Sequence, residues 1–220
     1  MKDMKNRKTE SMQDRLVHIE KSYETIYVTL ISIIQATVFG YLIATFNEHH
    51  SDFTHLRIVL FVTTFLMIVI VWNQYIMAST AFKYIPRLFP DSVLPFALGF
   101  TEIVVIGQIF ADLHLWCYSV ALVMVTGWLA LVNGYRNARH HPTNVVIFQR
   151  LGHWPKLSQI LVLVISMLFA LLGLVSYQYA SNQPIQHIVA CFFLVSMVVQ
   201  LVMGAKYWEL IIGGFREEME

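Results

Sequence analysis

The sequence predicts an all-α, polytopic membrane protein of about six transmembrane helices, with N-terminus and C-terminus cytoplasmic. Three observations predict it: a composition too apolar for a soluble domain, apolar runs of spanning length, and a one-sided distribution of basic residues. Hydrophobic residues make up 57% of the 220 and charged residues 13%, which leaves too little polar side chain to cover a water-soluble globule. The apolar residues gather in long runs instead of alternating with polar ones. A run of roughly 20 such residues crosses the hydrocarbon as a helix, because a helix satisfies its own backbone hydrogen bonds there.

Taken in order, residues 1–22 form a basic N-terminal segment with Met12, Leu16 and Ile19 at helical spacing. It is expected to lie on the inner membrane surface or to extend the first helix inward. Spans are expected at 23–46, 55–78, 92–113, 114–135, 157–180 and 186–212, together a single transmembrane domain over 23–212, with 213–220 a short cytoplasmic tail. The third and fourth runs meet at a very tight link, 112–114, and also fit one hairpin of shortened helices. Pro86 and Pro90 punctuate the turn-rich stretch before the third span. Pro95 is expected at the beginning of that span, where its missing N–H interrupts nothing.

Basic residues test this layout independently, since Lys and Arg accumulate in cytoplasmic loops. Alternating the six spans places 14 of the 15 Lys and Arg on one side, and only Arg57 on the other. That orientation is N-in/C-in. Short loops and the absence of sorting motifs point to a bacterial inner (plasma) membrane. Cys117 and Cys191 each sit inside an apolar run with no partner at metal-ligand spacing, and read as packed residues.

Glu102 is the one acid deep inside a predicted span. An ionised carboxylate at mid-bilayer costs several kcal/mol unless hydrated or paired, so such groups face a bundle interior or a water path. Gln35 in the first span, and Asn73 and Gln74 in the second, lie near its depth, while Gln108 and Asp112 are expected to continue up the third span. One reading of this set is a hydrated stripe for cations or protons. The structural reading is a protonated Glu102 hydrogen-bonded to Gln35 or Asn73, holding helices together.

Ser32, Ala36, Gly40 and Ala44 recur every four residues in the first span, a smooth helix face on which another backbone packs closely, from this chain or from a second copy. His49, His50, His55, His114 and His187 are expected on the outer side, where imidazoles bind metals or respond to pH. No fixed ligand spacing links them, and histidine also suits a membrane interface. The loop 136–156 carries Arg136, Arg139, Arg150 and Lys156 without an acid, a face for anionic lipid or for a soluble acidic partner.

No nucleophile turn, zinc-protease motif, phosphate-binding glycine loop or paired zinc cysteines occurs. The expectation is therefore no enzyme, no cofactor and no nucleic-acid partner. The leading functional expectation is an oligomeric ion channel, its intramembrane carboxylate near a conduction path on an axis shared between copies. The alternative is a membrane-embedded sensor or anchoring subunit that recruits a soluble cytoplasmic partner in signalling or bacterial defence. A small proton-coupled transporter stands third.

Overall fold

The computed structural model describes residues 2–83 and 88–217, with side chains over most of 25–83 and 90–211. Among the described residues every regular element is helical: α1 Lys2–His49, α2 His55–Ala81, α3 Leu88–Gly107, α4 Leu113–Arg139, α5 Val145–Leu151, α6 Trp154–Gln178 and α7 Gln183–Glu217. Single 3-10 turns at His50–Asp52 and Pro142–Asn144 link α1 to α2 and α4 to α5. All but α5 contain a stretch long and apolar enough to cross a membrane, six in number.

Several boundaries differ from the sequence-based expectation, each for a local reason. From Lys2 the N-terminal segment is helical and continuous with the first span, the second of its two expected arrangements, whereas α7 runs into the expected tail as far as Glu217. The third span ends at Gly107, not at 113. Beyond it the chain tightens into three-residue turns, with Gln108, Ile109 and Ala111 donating to the carbonyls of Val105, Ile106 and Gln108. At 20 residues α3 is still about 30 Å long, enough for the hydrocarbon. It also begins earlier than expected, at Leu88, which puts Pro95 inside the helix, with no N–H to offer the carbonyl of Asp91 four residues before it.

The helices close into a ring. α1 packs on α2 and α3, α3 on α4, α4 on α6, α2 on α7, and α6 on α7. The α4–α6 interface is the most extensive and the α6–α7 seam the loosest. Inside the ring the main core gathers Leu42, Leu60, Ile106, Trp116, Phe169 and Phe193, all essentially without exposed surface. Phe169 stacks on Phe193 with ring centres 4.0 Å apart, and Trp116 tilts against Phe193 at 5.0 Å. A second, smaller cluster of Phe82, Tyr135, Ala138, Leu151, Trp208 and Ile211 lies at the end where α2, α4 and α7 finish. There α5 seats its Leu151 and Phe148, with Phe148 stacked on Phe82 at 5.3 Å. Asn144 pins this cap by donating to the carbonyls of Ala138 and Lys83 and accepting from the Lys83 N–H.

The outer surface of the ring is apolar. Phe100 and Ile188 are each 68% exposed and Ile160 61%, exposure that water disfavours and lipid tails accept. Between α4 and α6 the approach is close enough to require glycine: a Cβ on Gly173 would stand 2.7 Å from the Tyr118 ring. Gly173→Leu should therefore lower the thermal unfolding midpoint in detergent, by the roughly 1–3 kcal/mol typical of overpacking. Gly127→Ala and Gly134→Ala, where a Cβ meets nothing within 4 Å, should leave the midpoint unchanged or raise it.

Candidate functional site

Glu102 sits on the most buried stripe of α3, in register with Leu98 and Val105, and has no exposed surface. The opposing stripe of α1 is Ile31, Gln35, Val38 and Leu42, also buried. Where the two stripes meet, Gln35 Nε2 donates to Glu102 Oε2 at 2.9 Å. Among the described residues that bond is the one hydrogen bond the Glu102 carboxyl receives, and its Oε1, the Gln35 Oε1 and the hydroxyl of Tyr75 on α2 are buried without a partner there. Tyr75 lies within electrostatic range of both Glu102 and Asp91. Among the described residues no Lys, Arg or His forms an ion pair with Glu102. Unpaired oxygens around a buried carboxyl suit the uptake of a proton or the partial coordination of a small cation.

Below this pair, toward the end where α1 begins and α7 finishes, the ring is hollow. A cavity of about 250 Å³ lies among α1, α2, α3, α4, α6 and α7 and reaches up to Leu98, one helical turn short of Glu102. Small residues make the space: Gly127 and Gly134, seven apart on one face of α4, both line it. Its polar wall contains Asp91, 5% exposed, whose Oδ1 accepts from Asn133 Nδ2 at 2.9 Å across the α3–α4 interface. Tyr135 and Tyr207 hydroxyls meet at 2.7 Å where the cavity borders the second cluster.

The structure brings together only part of the set expected from sequence. Gln35, not Asn73, is the partner of Glu102. Gln74 instead lines the cavity, its Nε2 3.0 Å from where a Cβ on Gly204 would stand. Gln108 lies in the turn directly after α3 and Asp112 is the N-cap of α4, so both stand at the end of the ring where α3 finishes, outside the helix itself. Ala36, Gly40 and Ala44 are exposed and Ser32 half-buried, and nothing approaches Gly40 within 4 Å of a Cβ, so among the described residues nothing packs closely on this face of α1.

Arg136, Arg139, Arg150 and Lys156 are all exposed beside α5, with the Arg139 guanidinium over the Phe148 ring at 5.4 Å. The five histidines are dispersed. His49 packs on Phe110 at 4.3 Å and stands 3.7 Å from Asp52. His50 bonds the Asn47 carbonyl and His187 the Gln183 carbonyl, His114 packs edge-on against Tyr177, and His55 is exposed at the start of α2. Among the described residues no three His, Cys, Asp or Glu side chains converge as metal ligands would.

Asp91, Asn133 and Tyr75 are the residues that sequence reasoning misses. Asn133 carries a signal, an amide inside an apolar run, whereas Asp91 reads as part of a turn because Pro90 precedes it. No protein-family model, curated protein or solved structure matches the chain. Removing the donor alone, in Gln35→Leu, should destabilise the protein by about 1–3 kcal/mol, because the Glu102 carboxyl is left buried and unpaired. The double variant Gln35→Leu/Glu102→Leu should recover most of that loss, as read by thermal unfolding in detergent.

Proposed function

We propose that the protein conducts protons or small cations across a membrane along a path inside each protomer. In this reading the Gln35–Glu102 pair is the constriction and the cavity is its cytoplasmic vestibule. The observation that carries it is the position of Glu102: fully buried in the ring, one turn beyond the blind end of the cavity. An axis shared between copies is lined by outward faces, and Glu102 faces inward, so the path expected between copies gives way to one within the protomer. On the far side of Glu102 the ring is filled by Ile106, Ile109 and Trp116, and conduction requires that packing to part.

The positive-inside pattern of the sequence supports an N-in/C-in orientation in a bacterial inner membrane, with the cavity on the cytoplasmic side. The unpartnered face of Ser32, Ala36, Gly40 and Ala44 supports a homo-oligomer, in which α1 of one copy packs closely on another. A second reading, recruitment of a soluble acidic partner, is favoured by the four exposed basic side chains beside α5. A proton-coupled transporter shares the site with the first reading and differs in showing saturation by a solute.

Purified protein in liposomes, with a pH-sensitive dye inside, should dissipate an imposed proton or cation gradient faster than empty liposomes. Glu102→Gln, which keeps a hydrogen-bonding side chain opposite Gln35, should slow that flux by roughly tenfold or more while the protein stays folded. Equal rates for the two proteins, or no flux of H+, Na+ or K+ in either gradient direction, contradicts the reading.

A further inference from the structure

Helices α6 and α7 meet in the loosest seam of the ring. Among the described residues their hydrogen bonds lie at one end of it. There Ser176 Oγ donates to Gln186 Oε1 at 2.7 Å, and Gln186 Nε2 donates to the Ser176 carbonyl at 2.9 Å. From that clasp the two helices run back alongside each other. Twenty residues from Ser176 stands Lys156, and twenty from Gln186 stands Lys206. At 1.5 Å per residue both lie about 30 Å from the clasp, the thickness of the hydrocarbon. Two exposed ammonium groups are thus carried at one depth, on the two helices of one seam, where those helices leave the lipid core. Among the described residues neither lysine forms an ion pair. The acid nearest to them in sequence, Glu209, lies three residues beyond Lys206.

The cavity comes to the surface between the same helices. Trp154 and Leu157 line it and are also 40% and 51% exposed on α6, while Met203, Gly204 and Tyr207 line it from α7. Its wall is mainly apolar, with Leu94, Leu98, Val123 and Leu131 on the inner side. The Asp91 carboxylate in that wall is already engaged, by Asn133 and by a further interaction. At about 250 Å³ the space falls just under the roughly 300–1,000 Å³ that a drug-sized molecule fills. It has room for part of one acyl chain and not for a whole lipid. The long lysine stems let both ammonium groups swing to a phosphate at the rim, and Trp154 stands there at the depth where amphipathic rings gather. We propose that the α6–α7 seam binds one anionic phospholipid, its phosphate between Lys156 and Lys206 and the end of one acyl chain in the cavity. Because the cavity stops one turn short of Glu102, the site stands whether or not ions pass there.

The test titrates the purified, delipidated full chain in detergent with phosphatidylglycerol or with phosphatidylcholine of the same chains, and counts bound lipid by native mass spectrometry. One phosphatidylglycerol per chain is expected, held at least roughly tenfold more tightly than phosphatidylcholine, since each basic side chain near an anionic headgroup strengthens binding roughly fivefold. Lys156→Ala/Lys206→Ala should erase that preference. Arg136→Ala/Arg139→Ala, which removes the same charge from the neighbouring loop, should keep it. Gly127→Leu and Gly134→Leu, whose side chains enter open space, should lower occupancy severalfold without lowering the unfolding midpoint. Glycerol phosphate, the headgroup without its chains, should not displace the lipid. Equal binding of the two lipids overturns the proposal, as does a preference that survives the lysine substitutions or is lost equally in the arginine variant. So does unchanged occupancy in a folded Gly134→Leu, or displacement by glycerol phosphate, which assigns the lysines to a soluble phosphate.

Discussion

Hydrocarbon offers no hydrogen-bond partner to a buried polar group, and the interior of this ring is arranged around that constraint. Backbone groups meet it by forming helices. Most inward-facing side chains meet it by bonding across helices or back onto the chain. Trp116 Nε1 donates to Thr64 at 3.1 Å, joining α4 to α2, and Ser166 donates to the Ala121 carbonyl at 3.0 Å, joining α6 to α4. Gln186 closes the turn between α6 and α7 by accepting from Ser176 and donating to the carbonyls of Ser176 and Tyr179. Among the described residues Gln35, Glu102, Tyr75, Asn137 and Trp208 depart from this pattern, each keeping at least one buried polar atom without a partner.

The same helices distribute bulk unevenly along their length. Where α4 faces α6 near Gly173 the chains are in contact through Tyr118, and Trp116, Phe169 and Phe193 fill the centre. Nine and sixteen residues beyond Tyr118 on α4, Gly127 and Gly134 withhold side chains from the same ring and the cavity occupies the space. The bundle is thus solid on one side of Glu102 and hollow on the other. That asymmetry places the buried carboxyl at the boundary between the two halves.

Hydropathy makes the number of long helices legible, because each apolar run has to cross the same thickness of hydrocarbon. It does not make their ends legible. The apolar character of Ile109, Phe110 and Leu113 continues past Gly107 although the helix stops there, and α5 is too short at seven residues to register as an apolar run. Depth names Gln35 and Asn73 as possible partners of Glu102, and the structure pairs it with Gln35. Asn73 and Gln74 show the limit of that argument, since neighbours on a helix differ by about 100° in direction and depth says nothing of rotation. Asp91 and Asn133 stay hidden for a related reason: their meeting depends on α3 starting at Leu88, ahead of two prolines. The small-residue face of α1 is plain in sequence, and its exposure in the fold is not, because spacing alone does not say which way a helix face turns.

The central claim is that Glu102 is held by Gln35 inside one protomer. It is tested most directly by disulfide trapping of Gln35→Cys/Glu102→Cys in membranes, with Cys117 and Cys191, the free cysteines of the protein, both replaced by alanine. The account predicts rapid oxidation to a bond within one chain, seen as loss of alkylatable thiol with no species of twice the mass. A bond between two chains, or two thiols that stay reduced in the folded protein, contradicts it.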